Sequence, residues 1–404
     1  MSHASNDLPS GFQLTAFDPV YRNTPEVYLR RLRDEAPVHH DREFSSYVVT
    51  RAADVAAVLK DRTMCKDPEK SAPDSQMRLI VNEEPGNRSM LFLDDPDHRR
   101  LRSLVTQAFT ARSINQIKPH IAEVAEQLLA EVEDREEFDI IADFASPLPM
   151  IIIAEMLGVD KADRANFVRW SRAADNSFNP APTEDQRAEL DAAFSQLSDY
   201  FHAVIAERRE HPGDDLISAM VAAADGEDRL TDKEICTMSR LLLIAGNVTT
   251  TDLIGNAVKL LLDNPAEAAK LAEDAALADN LVEEVLRFDP PVMNVARIPS
   301  ADLTMHDVEV KQGSTIMVSL VGAARDPALN DEPQRFDVAR DHPKHFAFGG
   351  GAHFCLGAQL ARAEAAIAIP MLFRKFPRLA LVKEPERKIA PGFNGFAEII
   401  VRPS

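Results

Sequence analysis

The chain has 404 residues, and the 45% that are apolar are enough for a large hydrophobic core. Its 45 lysines and arginines against 65 aspartates and glutamates give a formal net charge of −20, which disfavours non-specific binding to nucleic acid or anionic lipid. Three cysteines without paired spacing, no signal-peptide pattern and no long apolar run lead us to expect a cytoplasmic protein outside the membrane. We also expect a monomer.

The first hundred residues mix signals for helix and strand. Apolar spacing predicts helices over 25–33 and 54–60, and β-branched and aromatic residues predict a strand over 46–50. Residues 67–95 are rich in proline, glycine, asparagine and charge without clear periodicity. Such a long irregular segment in a compact protein is usually functional or mobile.

The middle of the chain is helical in pattern. Apolar residues at helical spacing predict helices over 117–132, 147–157, 162–174 and 184–210. A capping box at 231–234 begins a further helix that runs to residue 263, about 45–50 Å at roughly 1.5 Å per residue. Within it, Gly246 and four consecutive β-branched residues (248–251) are mediocre or poor helix formers, which favours a bulge.

The last third changes in character. Segments 303–310 and 315–320 flank Gln312 and Gly313 and are predicted to pair as a hairpin. A final helix is predicted over 356–374, with Pro370 as a kink or break, followed by a strand over 396–401. The expected fold is mainly α with small β-sheets. Because no linker divides the chain, we expect a single domain over residues 1–404.

The most informative stretch is the glycine-rich loop 348–357, which delivers Cys355 to the start of a helix. A helix N-terminus carries partial positive charge and unpaired N–H groups, which stabilise a thiolate. An arbitrary lone cysteine is more often an inert core thiol. A zinc site would need further ligands, and none is close in sequence. Haem iron takes one protein thiolate and leaves its opposite face open.

Three motifs carry a resemblance to a known family. The spacing Phe-x-x-Gly-x-(His/Arg)-x-Cys-x-Gly at 348–357 resembles the haem-thiolate signature of the cytochrome P-450 family. Residues 284–287 (Glu-Val-Leu-Arg) resemble its Glu-x-x-Arg motif, and residues 245–250 resemble its oxygen-activation segment. The resemblance implies the cytochrome P-450 fold, with haem b between the long central helix and the cysteine-loop helix.

The resemblance also implies which residues hold the haem. Cys355 is the expected iron ligand, and cationic side chains are expected at the two haem propionates because buried carboxylates need partners. His98 and Arg102, four apart on a predicted helix, match the family's His-x-x-x-Arg pattern. The full expected set of cofactor contacts is His98, Arg102, Arg297, His353, Cys355, Phe348, Gly349 and Ala245.

Glu284 and Arg287 are expected to form a buried network that braces the cysteine loop, with Arg335 as a candidate partner. The alternative is an ordinary exposed ion pair three residues apart on a helix, worth well under about 1 kcal/mol.

The resemblance assigns oxygen activation to the central helix. Thr249 is expected to donate a hydrogen bond to bound oxygen, with Thr250 and Asn247 as further catalytic candidates. Val248 stands where the family usually has an acid, and a valine cannot relay a proton. Asn247 or Asp252, acting through water, are candidate substitutes.

The implied function is a haem-thiolate monooxygenase that hydroxylates an apolar small molecule with O2. Electrons are expected from a ferredoxin and a ferredoxin reductase, docking at Arg99, Arg100, Arg112 and Lys344. A peroxide-driven peroxygenase and a non-catalytic haem protein that binds an apolar ligand remain as alternatives. Residues 67–95 are expected to form part of the substrate pocket. The expected pocket residues are Leu91, Phe92, Leu241, Ala245, Val292, Val295, Phe393 and Phe396.

Overall fold

A computed structural model describes residues 8–80, 88–175, 183–224 and 230–403. Helices carry most of this chain, which confirms the predicted fold class. The α-helices are α1 Pro19–Asn23, α2 Glu26–Glu35, α3 Ala52–Lys60, α4 Gln76–Ile80, α5 Asp97–Thr106, α6 Ala111–Glu131, α7 Pro147–Met156, α8 Arg164–Asp175, α9 Glu184–Glu210, α10 Leu216–Ala224, α11 Asp232–Asp263, α12 Pro265–Glu273, α13 Ala278–Phe288, α14 Leu320–Ala324 and α15 Ala358–Lys375.

The strands of the described residues form small sheets of five, three and two strands. They are β1 Val38–Asp41, β2 Ser46–Val49, β3 Met64–Cys65, β4 Phe138–Asp139, β5 Asn294–Pro299, β6 Leu303–Met305, β7 Val308–Val310, β8 Thr315–Ser319, β9 Ala380–Leu381 and β10 Ile400–Arg402. The largest sheet has the order β1-β2-β8-β5-β3, and β2 runs parallel to β8. The sheet therefore joins residues from both ends of the chain.

The predicted hairpin between 303–310 and 315–320 is wrong. Residues 303–310 form a hairpin by themselves, in which β6 pairs with β7 around His306, whose φ is 52°. Strand β8 instead pairs with β2 and β5. Ile316 and Val318 on β8 are both buried. The position of β8 between β2 and β5 allows this burial, which explains why β8 pairs with those strands and not with β7.

The central helix α11 organises the core. It packs against α7, α9, α13 and α15, and its capping box forms as predicted, with Thr231 Oγ1 accepting from the N–H of Glu234. The bulge predicted near residues 245–251 is not observed, because α11 is continuous from Asp232 to Asp263. Pro370 likewise lies inside α15 without ending it.

Within the described residues, one helix, α11, is long and apolar enough to cross a membrane by length and composition alone. Of its most apolar window, 72% is buried inside the protein, as in the core helix of a globular protein.

Candidate functional site

The cysteine loop is held by its own backbone and by α3. The N–H of Cys355 donates to the carbonyl of Phe348 at 2.9 Å, and Gly357 N–H donates to the Cys355 thiol. Gly349 and Gly351 both have a φ of 68°. A Cβ on Gly351 would lie 2.3 Å from the carbonyl oxygen of Leu59, so only glycine fits there. The loop therefore has one defined shape, and α15 begins three residues after the cysteine.

The Cys355 thiol is accessible and yet desolvated. Its side chain is exposed, while burial raises its pKa; Gly357 N–H, Arg102 and Arg362 act in the opposite direction. Both observations hold when the thiol faces an internal cavity and not bulk water. Among the described residues, no group of three or more His, Cys, Asp or Glu side chains could hold a metal ion. A lone thiolate ligand for a cofactor iron fits this arrangement.

Basic side chains from three parts of the chain meet beside this cavity. The rings of His98 and His353 lie 4.1 Å apart. Arg102 Nη2 donates to the carbonyl of Phe354 at 2.6 Å, and Arg297 Nη2 donates to that of Gly350 at 3.4 Å. The structure thus brings together the four basic residues that the sequence indicated, two of which approach the cysteine loop directly.

The electrostatics of this group are unbalanced. Burial lowers the pKa of Arg297 to about 10 and that of His353 to about 3, the latter helped by His98 and Arg297. Burial also lowers the pKa of Arg102. In the part of the chain that the structure describes, neither Arg102 nor Arg297 forms an ion pair with a carboxylate. Two desolvated cations, Arg297 buried and Arg102 partly buried, that form no ion pair with a carboxylate of the described residues fit a dianionic group such as the two propionates of haem.

Sequence reasoning missed Lys66, which belongs to the same group. It follows β3, is 6% exposed, and its ammonium lies 5.6 Å from the centre of the Phe92 ring. Burial, with Arg297 beside it, lowers its pKa to about 7. Nothing in the local sequence distinguishes it from a surface lysine.

One face of α11 is open in the middle of an otherwise buried helix. Ala245 is exposed, and Leu241 and Thr249, four residues to either side, are partly exposed. Residues four apart share a helix face, so these three line one space. Thr249 Oγ1 donates to the carbonyl of Ala245 at 2.9 Å, the back-bonding expected of a threonine in a helix.

The other candidates on α11 lie away from that face. Asn247 and Thr250 are 2% and 3% exposed, and Thr251 Oγ1 donates to Asn247 Oδ1 at 3.3 Å. Asp252 is fully buried and accepts from Lys388 Nζ at 2.9 Å, so it is tied to the C-terminal loop. This argues against Asp252 as the missing acid. Val248, at 6% exposed, also lies in the interior.

A second residue that the sequence reasoning missed is Glu364, on α15. It is 1% exposed, its Oε1 has no partner within the described residues, and its side chain hydrogen-bonds with Thr250. Burial raises its pKa well above the usual value, which favours the protonated, neutral form of the side chain. One signal could have revealed it, because it is the only polar residue in the stretch 363–373.

Glu284 and Arg287 are buried as predicted, but their partners differ. Arg287 Nε and Nη2 donate to Glu284 at 2.6 and 2.8 Å, and both side chains are 0% exposed. The second cation on Glu284 is Arg340, at 3.1 Å, and not Arg335. Arg335 contributes its backbone carbonyl, while its guanidinium lies at the surface beside Glu332 and Asp337. The pair therefore holds the segment 333–340.

A neighbouring network reaches the cysteine loop. Glu283 accepts from Arg362 Nε at 2.5 Å and contacts His345 Nε2 at 3.0 Å. These two partners hold the pKa of Glu283 at about 2 despite burial. Arg362 also lies over the Phe348 ring, 4.4 Å from its centre. Glu283, with His345 and Arg362, is therefore the group that supports the cysteine loop directly. The predicted Glu284 instead supports the neighbouring segment 333–340.

The expected pocket residues do not all line one space. Val292 and Phe393 are bridged by their backbones, and both are partly buried, as are Phe92 and Val295. Leu91 is 43% exposed. Phe396 is 3% exposed in the main core, with the Arg387 guanidinium 4.6 Å from its ring centre, so placing it in the pocket is wrong.

The candidate docking residues also divide into two kinds. Arg99 pairs with Asp95, and Arg100 donates to Glu234 at 2.5 Å, so both charges are largely compensated. Arg112 and Lys344 are exposed, and in the described chain neither side chain has an ion-pair partner.

Comparisons with known proteins decide the family. The Cytochrome P450 family model matches residues 39–400. The chain belongs to the cytochrome P450 family. Cytochrome P450 107B1 of Saccharopolyspora erythraea is 36% identical, over 96% of this chain and 98% of that protein. Vitamin D(3) 25-hydroxylase of Pseudonocardia autotrophica is 38% identical, over 90% and 89%.

A solved structure gives the same result. The myxobacterial cytochrome P450 CYP267B1 in complex with myristic acid has a TM-score of 0.88 and 34% identity, and the match covers 98% of this chain and 100% of that one. The predicted P450 fold and the assignment to the P450 monooxygenases are thus confirmed, and haem is the cofactor that the family implies.

Proposed function

We propose that this P450 is a cytoplasmic monomer of one domain, residues 1–404, that binds haem b through Cys355 and hydroxylates an apolar small molecule. The observation that carries the proposal is the desolvated Cys355 thiol beside Arg102 and Arg297, two desolvated cations that form no ion pair with any carboxylate that the structure describes. Haem held there would supply dioxygen activation, one oxygen atom entering the substrate and the other leaving as water. Two electrons and two protons complete that balance.

The apolar character of the substrate has two supports. The open face of α11 presents Leu241, Ala245 and Thr249, of which only the last carries a polar group. One relative is named a vitamin D(3) hydroxylase, and one structural neighbour holds myristic acid. Leu241, Ala245, Phe92, Val292, Val295 and Phe393 remain the proposed lining residues, while Leu91 is proposed only at the rim because it is exposed.

Protons are the part of the reaction for which this chain's own residues differ from the family pattern. Val248 is buried and carries no proton. Burial favours the protonated form of Glu364, and its side chain hydrogen-bonds with Thr250, so we propose that the Thr250 hydroxyl passes a proton from Glu364 towards the open face of α11. Ordered water would connect Thr250 to the neighbouring Thr249 hydroxyl. Asn247, bonded to Thr251, is proposed to orient this segment and not to carry the proton.

Electrons are proposed to come from a ferredoxin and its reductase. A depression of about 370 Å³ lies beside the cysteine loop, with Lys344, Phe354 and Arg362 in its lining. Lys344 and the exposed Arg112 are the proposed contacts for an acidic partner, since Arg99 and Arg100 are paired internally. The second candidate function, a peroxide-driven peroxygenase, is favoured by Val248 alone.

One experiment tests the iron ligand. Cys355→Ser is expected to lose the strongly red-shifted Soret band of the reduced carbon monoxide complex, whereas the matched controls Cys65→Ser and Cys236→Ser keep it. Retention of the band in Cys355→Ser would show that another group binds the iron. Turnover with NADH plus a ferredoxin system, compared with turnover on hydrogen peroxide, then separates the two candidate functions.

A further inference from the structure

Lys66 is a buried cation that no group in the described chain neutralises directly. It is 6% exposed, and within residues 8–80, 88–175, 183–224 and 230–403 its ammonium forms no hydrogen bond or ion pair. The ammonium lies 5.6 Å from the centre of the Phe92 ring. A buried lysine is rare, because burying its charge is energetically unfavourable unless the charge is paired. We therefore expect an anion to bind beside this side chain.

The nearest carboxylate does not meet that need. Asp94 accepts the backbone N–H groups of Lys66 and Asp67 at 2.8 and 3.2 Å, and its Oδ2 pairs with Lys70 Nζ at 2.9 Å. Although burial acts to raise the pKa of Asp94, these bonds lower it, and the Asp94 carboxylate therefore serves the loop backbone and Lys70 and does not bond to the Lys66 ammonium.

The other groups that face Lys66 are basic. Arg297, from β5, acts on Lys66 with like charge, and Lys66 acts in the same way on His353, from the cysteine loop. His98, from α5, stacks on His353. Four elements therefore direct basic groups at one place, and Asp94 is the one opposing carboxylate that acts on both Lys66 and Arg297.

We propose that Lys66 is a further haem-binding residue, whose ammonium pairs with a propionate beside Arg297. This inference rests on the proposed binding of haem through Cys355. It adds a residue from the β3 end of the chain to a set otherwise drawn from α5, β5 and the cysteine loop.

The proposed ion pair between Lys66 and a haem propionate should depend on pH, because burial lowers the pKa of Lys66. Without an anion, the pKa of Lys66 is about 7, so the side chain is largely neutral above that pH. A bound propionate favours the charged form and raises this pKa. Lys66 therefore supports haem binding fully below about pH 7 and loses this effect as the pH rises through its raised, haem-bound pKa. Asp94, whose pKa is lowered, remains charged throughout this range.

The test measures haem release from the holoenzyme to an excess of a haem-scavenging globin. Lys66→Met keeps the aliphatic length and removes the charge. It is expected to release haem about 10 to 100 times faster at pH 7, as for one lost charge-assisted hydrogen bond. Lys66→Arg should restore slow release. The matched control Lys70→Met removes a lysine that contacts the same Asp94 from the exposed side, and it should stay within about twofold of the wild type.

A second measurement, the reduction potential of the haem, distinguishes a direct haem contact of Lys66 from a role in packing. Loss of a positive charge beside the haem should lower its ferric–ferrous reduction potential in Lys66→Met, while Lys66→Arg and Lys70→Met stay near the wild type. If Lys66→Met does not accumulate as folded protein, Lys66→Gln compared with Lys66→Arg gives the same information.

Equal release rates and equal potentials in Lys66→Met and Lys70→Met would overturn the inference. Such a result would leave the proposed function intact as long as Cys355→Ser still abolishes the carbon monoxide band. If the wild type retained that band without Cys355, the proposed function itself would fail.

Discussion

Two buried charge clusters of this protein are built in opposite ways. Around Glu284, the carboxylate is bound by Arg287 and Arg340, and Arg287 also donates to the backbone carbonyls of the segment 333–340. Beside the cysteine loop, Lys66 and Arg297 are buried, and neither forms an ion pair with a carboxylate of the described residues. In the first cluster, the polypeptide itself compensates every charge, so we call it the complete cluster, and its role is structural. In the second, the incomplete cluster, charge compensation requires a bound anion, which indicates a binding site.

Breaking the complete cluster should have the largest effect, because it removes one of the two cations that compensate a buried carboxylate. Arg287→Ala leaves the Glu284 carboxylate, which is 0% exposed, with Arg340 as its remaining cation, and should cost about 3 kcal/mol of the free energy of unfolding. Arg335→Ala, which removes an exposed guanidinium of the same segment, should change it by about 0.5 kcal/mol or less. Chemical denaturation of both holoenzymes measures the difference, and equal losses would contradict the assignment of partners.

Removing a charge from the incomplete cluster should affect haem more than the fold. Arg297→Gln and Arg102→Ala should purify with depleted haem and release the remainder about 10 to 100 times faster. The product profile from a given substrate should not change, because neither side chain lies on the open face of α11. Full haem occupancy with a new product pattern would place these residues in the substrate pocket instead. Absorbance of haem relative to protein provides the measurement.

Glu364 shows a third solution, in which a proton neutralises a buried acid. Glu364→Gln keeps the shape and the hydrogen bond to Thr250 but holds no transferable proton. Product formed per electron consumed should fall roughly tenfold or more, with hydrogen peroxide as the replacement product. The infrared carbonyl band of a protonated carboxylic acid should also disappear. Thr249→Ala should uncouple turnover in the same direction without removing that band, and unchanged coupling in both variants would exclude the relay.

The smallest expected effect concerns pH and the brace of the cysteine loop. His345 and Arg362 lower the pKa of Glu283 from its usual 4.5 to about 2. A carboxyl whose pKa is lower in the folded state stabilises the fold above 4.5, and this contribution is lost as the pH falls from 4.5 towards 2. Glu283→Gln should therefore unfold with a weaker acid dependence over that range. An identical acid-unfolding profile for the variant and the wild type would show that the network adds no stability.

The sequence was informative where residue type and spacing act locally. The capping box at Thr231, the bounds of the helix Glu184–Glu210 and the cysteine loop all depend on neighbours in the chain. The pairing of β8 was not predictable in this way, because β2 lies more than 260 residues earlier and is chosen by shared burial. The bulge in α11 was expected from poor helix formers, but tertiary packing keeps that helix continuous.

In the candidate site, motifs indicated the residues that the family shares, and tertiary contacts revealed the others. Lys66 and Glu283 have ordinary local sequences, and their roles appear only when distant cations or acids lie beside them. Glu364 was detectable as the single polar residue of an apolar helical stretch. Arg340 replaced Arg335 as the partner of Glu284 because the segment 333–340 folds back on itself.

The contact between Gly351 and Leu59 has a consequence for how the protein is made. The cysteine loop takes its shape against the end of α3, and a Cβ on Gly350 would also lie 3.0 Å from the Leu59 side chain. Nearly 300 residues separate these two surfaces, so the loop cannot acquire its native support until all the helices from α3 to α14 have been synthesised. The thiolate is thus shaped after most of the helices exist, and haem capture is expected to be a late event in the maturation of the protein.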